Sequence, residues 1–353
     1  MKRMCMALAM LAICALALTA ESKMAFDLRT VSNLTTVDFE ESGNNKGPQW
    51  ALKDLVGIVW TDDVVGGSII FQVNAVDSTI KVDEYWGWIK LGQFKVTGGE
   101  FDNRVINRVK DEESTWLVWE KFKYGALLNG KQVAESDNTA LWGKNDLSVE
   151  FKTGNLILQA SAGTSDLETD KALSEVFGSR IAYTITDTAK LAFTFVQYKE
   201  DNATIGLFAE ILGLEGISLV AGYSGVMNYD ESDAAVHGME VRARYKSGNW
   251  ALTSHNNFSF ADESMTFYNM MNFSWKYNDM ITAALYANNI HVMGDAPEAE
   301  GLDGNALIIR PGVTFTARKG ATIDTGLEFC FSKKGDADMV STMGIPLSIR
   351  VKF

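Results

Sequence analysis

In the C-terminal third of the chain, charged residues fall at every second position. Glu240, Arg242 and Arg244 alternate with Met239, Val241, Ala243 and Tyr245, and Arg310, Asp324, Glu328, Arg350 and Lys352 recur in similar settings. Carboxylates and guanidinium groups on one face of an extended chain can set up a transverse field that orders dipolar solutes and sorts ions. Arg310, Glu328 and Arg350 lie on three consecutive segments and are expected to be neighbours. Adjacent strands stand ~4.8 Å apart, so the two arginines are expected within about one Debye length, ~8–10 Å, as a pair that attracts small anions. The plainer alternative is a solvated wall with no special role. A second charged cluster, Arg104, Arg108, Lys110, Asp111, Glu112 and Glu113, reads equally as a constriction or as an ordinary solvated loop.

Catalytic chemistry finds little support. His237, His255 and His291 lie far apart in sequence. Ser254-His255-Asn256 carries the residue types of a hydrolase, but adjacent residues of a strand point to opposite faces, so Ser254 and His255 are not expected to pair. There is no His-Glu-x-x-His, no Gly-x-Ser-x-Gly and no phosphate loop. The acidic residues show no calcium-loop spacing. No catalytic residue, cofactor or metal is therefore expected.

Lys and Arg total 32 against 45 Asp and Glu, a net charge of −13, which argues against a nucleic-acid partner. With 46% hydrophobic and 22% charged residues the chain is neither disordered nor a bundle of membrane helices. Lys2 and Arg3 precede an apolar run from Met4 to Leu18, and Leu18-Thr19-Ala20 offers a small residue for cleavage. This is the layout of a secretory signal peptide over 1–20, which leaves one domain over 21–353. Ile13 before Cys14 and the apolar residues after it argue against a lipid-attachment cysteine. Cys5 and Cys14 leave with the leader, so Cys330 has no intramolecular disulfide partner.

The elements that must position these residues are strands. Ile345, Leu347, Ile349, Val351 and Phe353 alternate with Pro346, Ser348, Arg350 and Lys352; Leu307, Ile309, Val313 and Phe315 alternate with Ile308, Arg310, Thr314 and Thr316. Ile323, Leu327 and Phe329 likewise oppose Asp324, Glu328 and Cys330. Period two means strand, with an apolar face that needs an apolar surrounding. Tight turns are expected at about 319–320, 277–279, 247–249, 213–216, 186–188 and 153–155. Mostly longer connections are expected between them, at 332–342, 291–304, 261–263, 226–235, 200–202 and 163–176. Alternating short and long connections belong to an outer-membrane barrel and have no reason to persist in a soluble sandwich. Five upstream strands, near 24–31, 50–60, 67–76, 80–90 and 93–101, join thirteen downstream. The fold class is thus an all-β, antiparallel up-and-down transmembrane barrel of about 18 strands, with 16 the alternative. The stretch 102–144 is one long external excursion, in which Thr115 to Tyr124 also has strand character. Pro311 predicts a bulge in its strand. Tyr245, Trp250, Trp275 and Tyr277, and at the opposite ends Phe258, Phe260 and Phe267, are placed as interfacial girdles.

The leader, the turn rhythm and the alternating final strand closing on Phe353 resemble those of Gram-negative porin-type outer-membrane proteins. The resemblance implies that Ile345, Leu347, Ile349, Val351 and Phe353 form the signal read by the barrel-assembly machinery. It implies outer-membrane lipid as surroundings, small hydrophilic solutes or ions as cargo, and a homotrimer as the assembly often found in that class. In general porins the long loop after the fifth strand folds inward, which would bring 102–144 into the pore. The function so implied is passive diffusion through a channel. The competing readings are a barrel for adhesion or surface interaction with a narrow or plugged lumen, and a soluble periplasmic β-protein without lipid-facing girdles.

Overall fold

The computed structural model describes residues 21–38, 49–74, 79–100, 146–163, 176–198, 202–228, 236–261, 264–294 and 303–352. The first strands are β1 (Glu21–Asp38), β2 (Gln49–Thr61), β3 (Val65–Asn74), β4 (Thr79–Leu91) and β5 (Phe94–Glu100). After residues outside the description come β6 (Asp146–Thr153), β7 (Leu156–Gly163), β8 (Val176–Ile185), β9 (Ala189–Tyr198), β10 (Asn202–Ile211) and β11 (Ile217–Asn228). β12 (Val236–Ser247), β13 (Trp250–Ala261), β14 (Ser264–Lys276) and β15 (Ile281–Met293) follow. The chain closes with β16 (Gly304–Arg318), β17 (Ala321–Gly326), β18 (Glu328–Lys334) and β19 (Val340–Lys352).

These nineteen segments form one antiparallel sheet in which consecutive segments pair, except β17 with β18, and β19 returns to β1. Among the described residues every segment has a partner on both sides, so the sheet has no free edge strand, the condition it must meet in hydrocarbon. β17 and β18 both lie between β16 and β19 and together fill one position, so the described residues supply eighteen positions around the sheet.

The break between β17 and β18 has a simple cause. Leu327 N–H donates to the Pro311 carbonyl at 3.0 Å, but proline has no N–H to return. One ladder bond is lost while the register continues unchanged on both sides, from Gly312↔Gly326 to Ile309↔Phe329. The expected bulge is therefore not at Pro311. A register shift occurs instead between Thr316 and Arg318, beside the turn. Gly326 is needed here, because a Cβ on it would stand 2.3 Å from the Pro311 oxygen.

The side-chain distribution is the inverse of a water-soluble protein. Leu207, Ile181, Met239 and Leu285 are 57%, 52%, 51% and 49% exposed on the outer face. Arg180, Glu240, Arg310 and Glu328, each 1% exposed, point inward. An outer surface of this kind is stable only against an apolar medium. Apolar side chains also reach the inner face. Ala182, Ala192, Phe208 and Val220 cluster with Ile157, and Ala306, Ile308 and Cys330 form a second patch. Phe208 lies across Gly222, the two fitting because that glycine has no Cβ.

The connections segregate to two rims. Turns of a few residues lie at 62–64, 92–93, 154–155, 186–188, 212–216, 248–249, 277–280 and 319–320, all at one rim. Asp187 and Gly248 take positive φ there, 54° and 55°, as tight hairpins require. The other rim carries the connection 335–339, shorter than the expected 332–342 because β18 and β19 extend further. β15 likewise runs to Met293, and β1 is longer than the expected 24–31. The aromatic pairs Tyr245–Trp250, at 5.1 Å between centroids, and Trp275–Tyr277, at 5.6 Å, ring the short-turn rim; Phe258–Phe267, at 4.6 Å, lies toward the other. The expected leader 1–20, the excursion 102–144 with its segment Thr115 to Tyr124, and Phe353 lie outside the described residues.

Candidate functional site: a belt of inward polar groups

The inward positions of β12 to β18 bring four of the C-terminal charges, Glu240, Arg242, Arg310 and Glu328, into one belt. In β12, period two turns Glu240 and Arg242 inward together, and the β12–β13 register sets His255 opposite Arg242. Arg242 Nε donates to Glu240 Oε2 at 3.1 Å and to His255 Nε2 at 3.2 Å. His255 Nε2 lies 3.5 Å from the same carboxylate oxygen, and the three side chains are almost fully enclosed. His255 meets the ring of Tyr268 edge-on at 5.3 Å. Asn288 donates to the hydroxyls of Tyr286 at 3.0 Å and of Tyr268 at 3.3 Å. Arg310 packs over the Tyr286 ring at 5.4 Å and donates to Glu328 across the β16–β18 pair. Contacts therefore run without a gap from Glu240 to Glu328. A belt of alternating charges and dipoles, each fixed by a neighbour, presents a static field to anything passing inside.

The remaining expected residues distribute as follows. Arg244 and Arg310 share one cross-strand row through Thr253, Asn272 and Tyr286. Asp324 accepts from Thr314 Oγ1 two inward rows nearer the short turns than Arg310. The expected neighbourhood of Arg310 and Arg350 does not form. Glu328 faces Gly344 on β19, whereas Arg350 faces Thr322. Six residues along a strand is about 20 Å, well beyond the screening length that the pairing needed. Arg310 also does not project freely into water, being 1% exposed and bound to Glu328. Ile345, Leu347, Ile349 and Val351 take the face opposite Ser348 and Arg350, toward the outside. The cluster Arg104, Arg108, Lys110, Asp111, Glu112 and Glu113 lies outside the described residues.

Sequence reasoning missed part of the inner wall. Arg180 on β8 donates to Gln159 Oε1, and Gln159 Nε2 donates to Ser148 Oγ at 2.7 Å, a second buried polar group spanning three strands. The signal was there, since Arg180 stands opposite in phase to Phe177, Ile181 and Tyr183. Ser254 and His255 are on opposite faces, Ser254 accepting from Asn256 at 3.0 Å on the outside while His255 joins the belt. No cluster of three potential metal ligands occurs among the described residues.

Similarity to solved structures follows the architecture. The outer membrane protein OpdK of Pseudomonas aeruginosa matches with a TM-score of 0.58 at 10% identity, over 94% of this chain and 99% of that one. This is the fold of the porin-type outer-membrane β-barrels. The barrel is similar also to the outer membrane channel DcaP of Acinetobacter baumannii, with a TM-score of 0.51 at 11% identity over 95% of this chain and 97% of that one. A trimer form of OmpT, an outer membrane protein of Vibrio cholerae, matches with a TM-score of 0.51 at 12% identity, over 94% of this chain and 99% of that one. No family model and no curated protein sequence matches the barrel.

Proposed function

We propose that the chain is an outer-membrane channel for passive diffusion of small hydrophilic solutes or ions, with the short-turn rim toward the periplasm. The observation that carries this reading is the inward belt from Glu240 to Glu328, set inside a barrel whose outer face is apolar. Such a wall performs no bond chemistry. It selects by width and by the field across the passage. Because each charge of the belt is held by an opposite one, ion preference is set by the balance of the whole wall and not by an Arg310–Arg350 pair. The similarity to a barrel titled as a channel supports the reading at the level of fold.

The burial of the same belt favours a second reading. Side chains at the wall of a wide aqueous pore are wetted, whereas Glu240, Arg310 and Glu328 are each 1% exposed. On this second reading the lumen at this level is narrow or plugged, as in a barrel that presents its external loops to a surface partner. Single-channel recording of refolded protein separates the two: discrete conductance steps establish the channel, and a folded, inserted barrel without steps establishes the plugged barrel. The similarity to a trimer form makes a homotrimer the natural state to look for in the same preparation.

A further inference from the structure

The inner wall of β4 to β6 carries charges in an arrangement unlike that of the belt. Near the turn at 92–93, Lys90 of β4 stands directly opposite Lys95 of β5. Both point inward. Lys90 is in phase with Trp88, which faces the buried Thr97, and Lys95 is in phase with that threonine. Ile89, Leu91 and Phe94 take the outer face of the same strands and are exposed there. Like charges set opposite one another across a strand pair repel and weaken the pairing. No ion pair of Lys90 or Lys95 relieves that repulsion among the described residues.

Both ammonium groups are held by one aromatic ring. Lys90 Nζ lies 5.0 Å and Lys95 Nζ 5.4 Å from the centroid of Trp88. The indole is itself seated on Gly66, where a Cβ would come within 2.7 Å of it. A cation–π contact fixes an ammonium group without neutralising it. Beyond Lys95, Glu150 of β6 faces it, and Lys152 follows two residues further along the same face. Asp62, in the neighbouring turn, accepts with one carboxylate oxygen from Val64 N–H at 2.6 Å and Val65 N–H at 3.3 Å. Three cations therefore share this part of the inner wall with one carboxylate. Lys90 and Lys152 are exposed and Lys95 is half-buried, whereas the charges of the belt are enclosed and paired.

We propose that Lys90 and Lys95 form a binding site for a small doubly charged oxyanion, of which phosphate is the simplest, at the short-turn mouth of the barrel. An anion between the two ammonium groups turns their repulsion into attraction and accepts hydrogen bonds from both. The Trp88 ring keeps the two side chains together beforehand, which lowers the cost of ordering them around a ligand. Lysine acts as a point charge, a match for a compact tetrahedral anion, where planar carboxylate recognition favours the arginine fork. The net charge of −13 does not prevent this, because charges more than ~8–10 Å away are largely screened at physiological salt. Use of the site in transport rests on the channel proposed above; binding itself does not.

The test uses the full-length protein refolded in detergent, with folding of every variant verified by heat-modifiable mobility. Inorganic phosphate is titrated at constant ionic strength and followed by the broadening of its phosphorus NMR line. The expected result is saturable binding by the wild type that weakens at least about tenfold when Lys90→Gln is combined with Lys95→Gln, because both charges that touch the anion are gone. Lys276→Met removes an exposed cation from another short turn and should leave the binding unchanged. Acetate, singly charged, should not displace phosphate at equal ionic strength. No binding by the wild type, equal binding by the glutamine variant, equal weakening by Lys276→Met, or ready displacement by acetate overturns the proposal. Conductance is read separately in planar bilayers, so a silent barrel that still binds phosphate counts against the channel alone.

Discussion

Removing the carboxylate of Glu328 tests how the inner wall is held. The Arg310–Glu328 pair is 1% exposed on both sides, so the solvent screening that reduces surface pairs to ~0–1 kcal/mol does not act on it. Glu328→Gln removes the charge that Arg310 donates to while leaving that guanidinium enclosed beside Tyr286. Breaking a buried pair from one side costs about 3–5 kcal/mol, a loss of roughly two to three and a half orders of magnitude in the folding constant. Replacing both partners, as Arg310→Met with Glu328→Gln, removes the stranded charge and should restore stability to within ~1 kcal/mol of wild type. Urea-dependent folding into vesicles, followed by the fluorescence of the chain's tryptophans, measures all three proteins on one scale. The exposed pair Lys276–Asp279 serves as the internal control, and Lys276→Met should leave the folding midpoint unchanged. The reasoning fails if Glu328→Gln folds as well as wild type, or if the double variant is as unstable as the two single ones added together.

Other outcomes follow from the outer face and the rims. Val351→Asp places a carboxylate in the outward stripe of β19 and should leave the protein misassembled in the periplasm; normal membrane levels with heat-modifiable gel mobility would count against the assembly signal. An epitope inserted near Glu298 should be labelled on intact cells and one at Gly248 should not, and the reverse pattern inverts the barrel. In the turn after β14, the hydrogen bond from Lys276, and then its charge, hold the Asp279 carboxyl below the ordinary aspartate range. A depressed folded value means that this contact contributes above the unfolded aspartate pKa and is lost as pH falls through the folded one. NMR titration should therefore show Asp279 titrating low in the wild type and rising in Lys276→Met, and identical midpoints would remove the contact from the account.

Strand phase was the readable part of this sequence, because a side-chain period of two is local and is reinforced by a lipid face that tolerates few exceptions. Glu240, Arg242, Arg310 and Glu328 were placed on the inner face by that rule alone. The pairing of Arg310 with Glu328 was also within reach, since both lie on consecutive antiparallel strands. Arg350 was misplaced because neighbourhood requires register as well as strand order, and β19 carries it about 20 Å beyond Gly344 along the strand. Pro311 pointed to the right place and the wrong event, a missing ladder bond in place of a bulge. An outward row of asparagines across β13 to β15 is hidden for the opposite reason. Asn256, Asn269 and Asn289 break the apolar phase and read singly as weak strand positions, and only the cross-strand register shows that they form a line. Arg180 and Gln159 were overlooked because their strands are short and their polar groups sparse.

The proposed function rests on the inward polar belt of β12 to β18 lining a passage through the outer membrane. Single-channel recording of the refolded full-length protein in planar bilayers tests it most directly, with folding verified beforehand by heat-modifiable mobility. The account predicts discrete conductance steps, with the reversal potential in a salt gradient unaffected by Arg350→Ala, because that side chain lies near the short-turn rim, away from the belt. A verified barrel that inserts and yields no steps would contradict it.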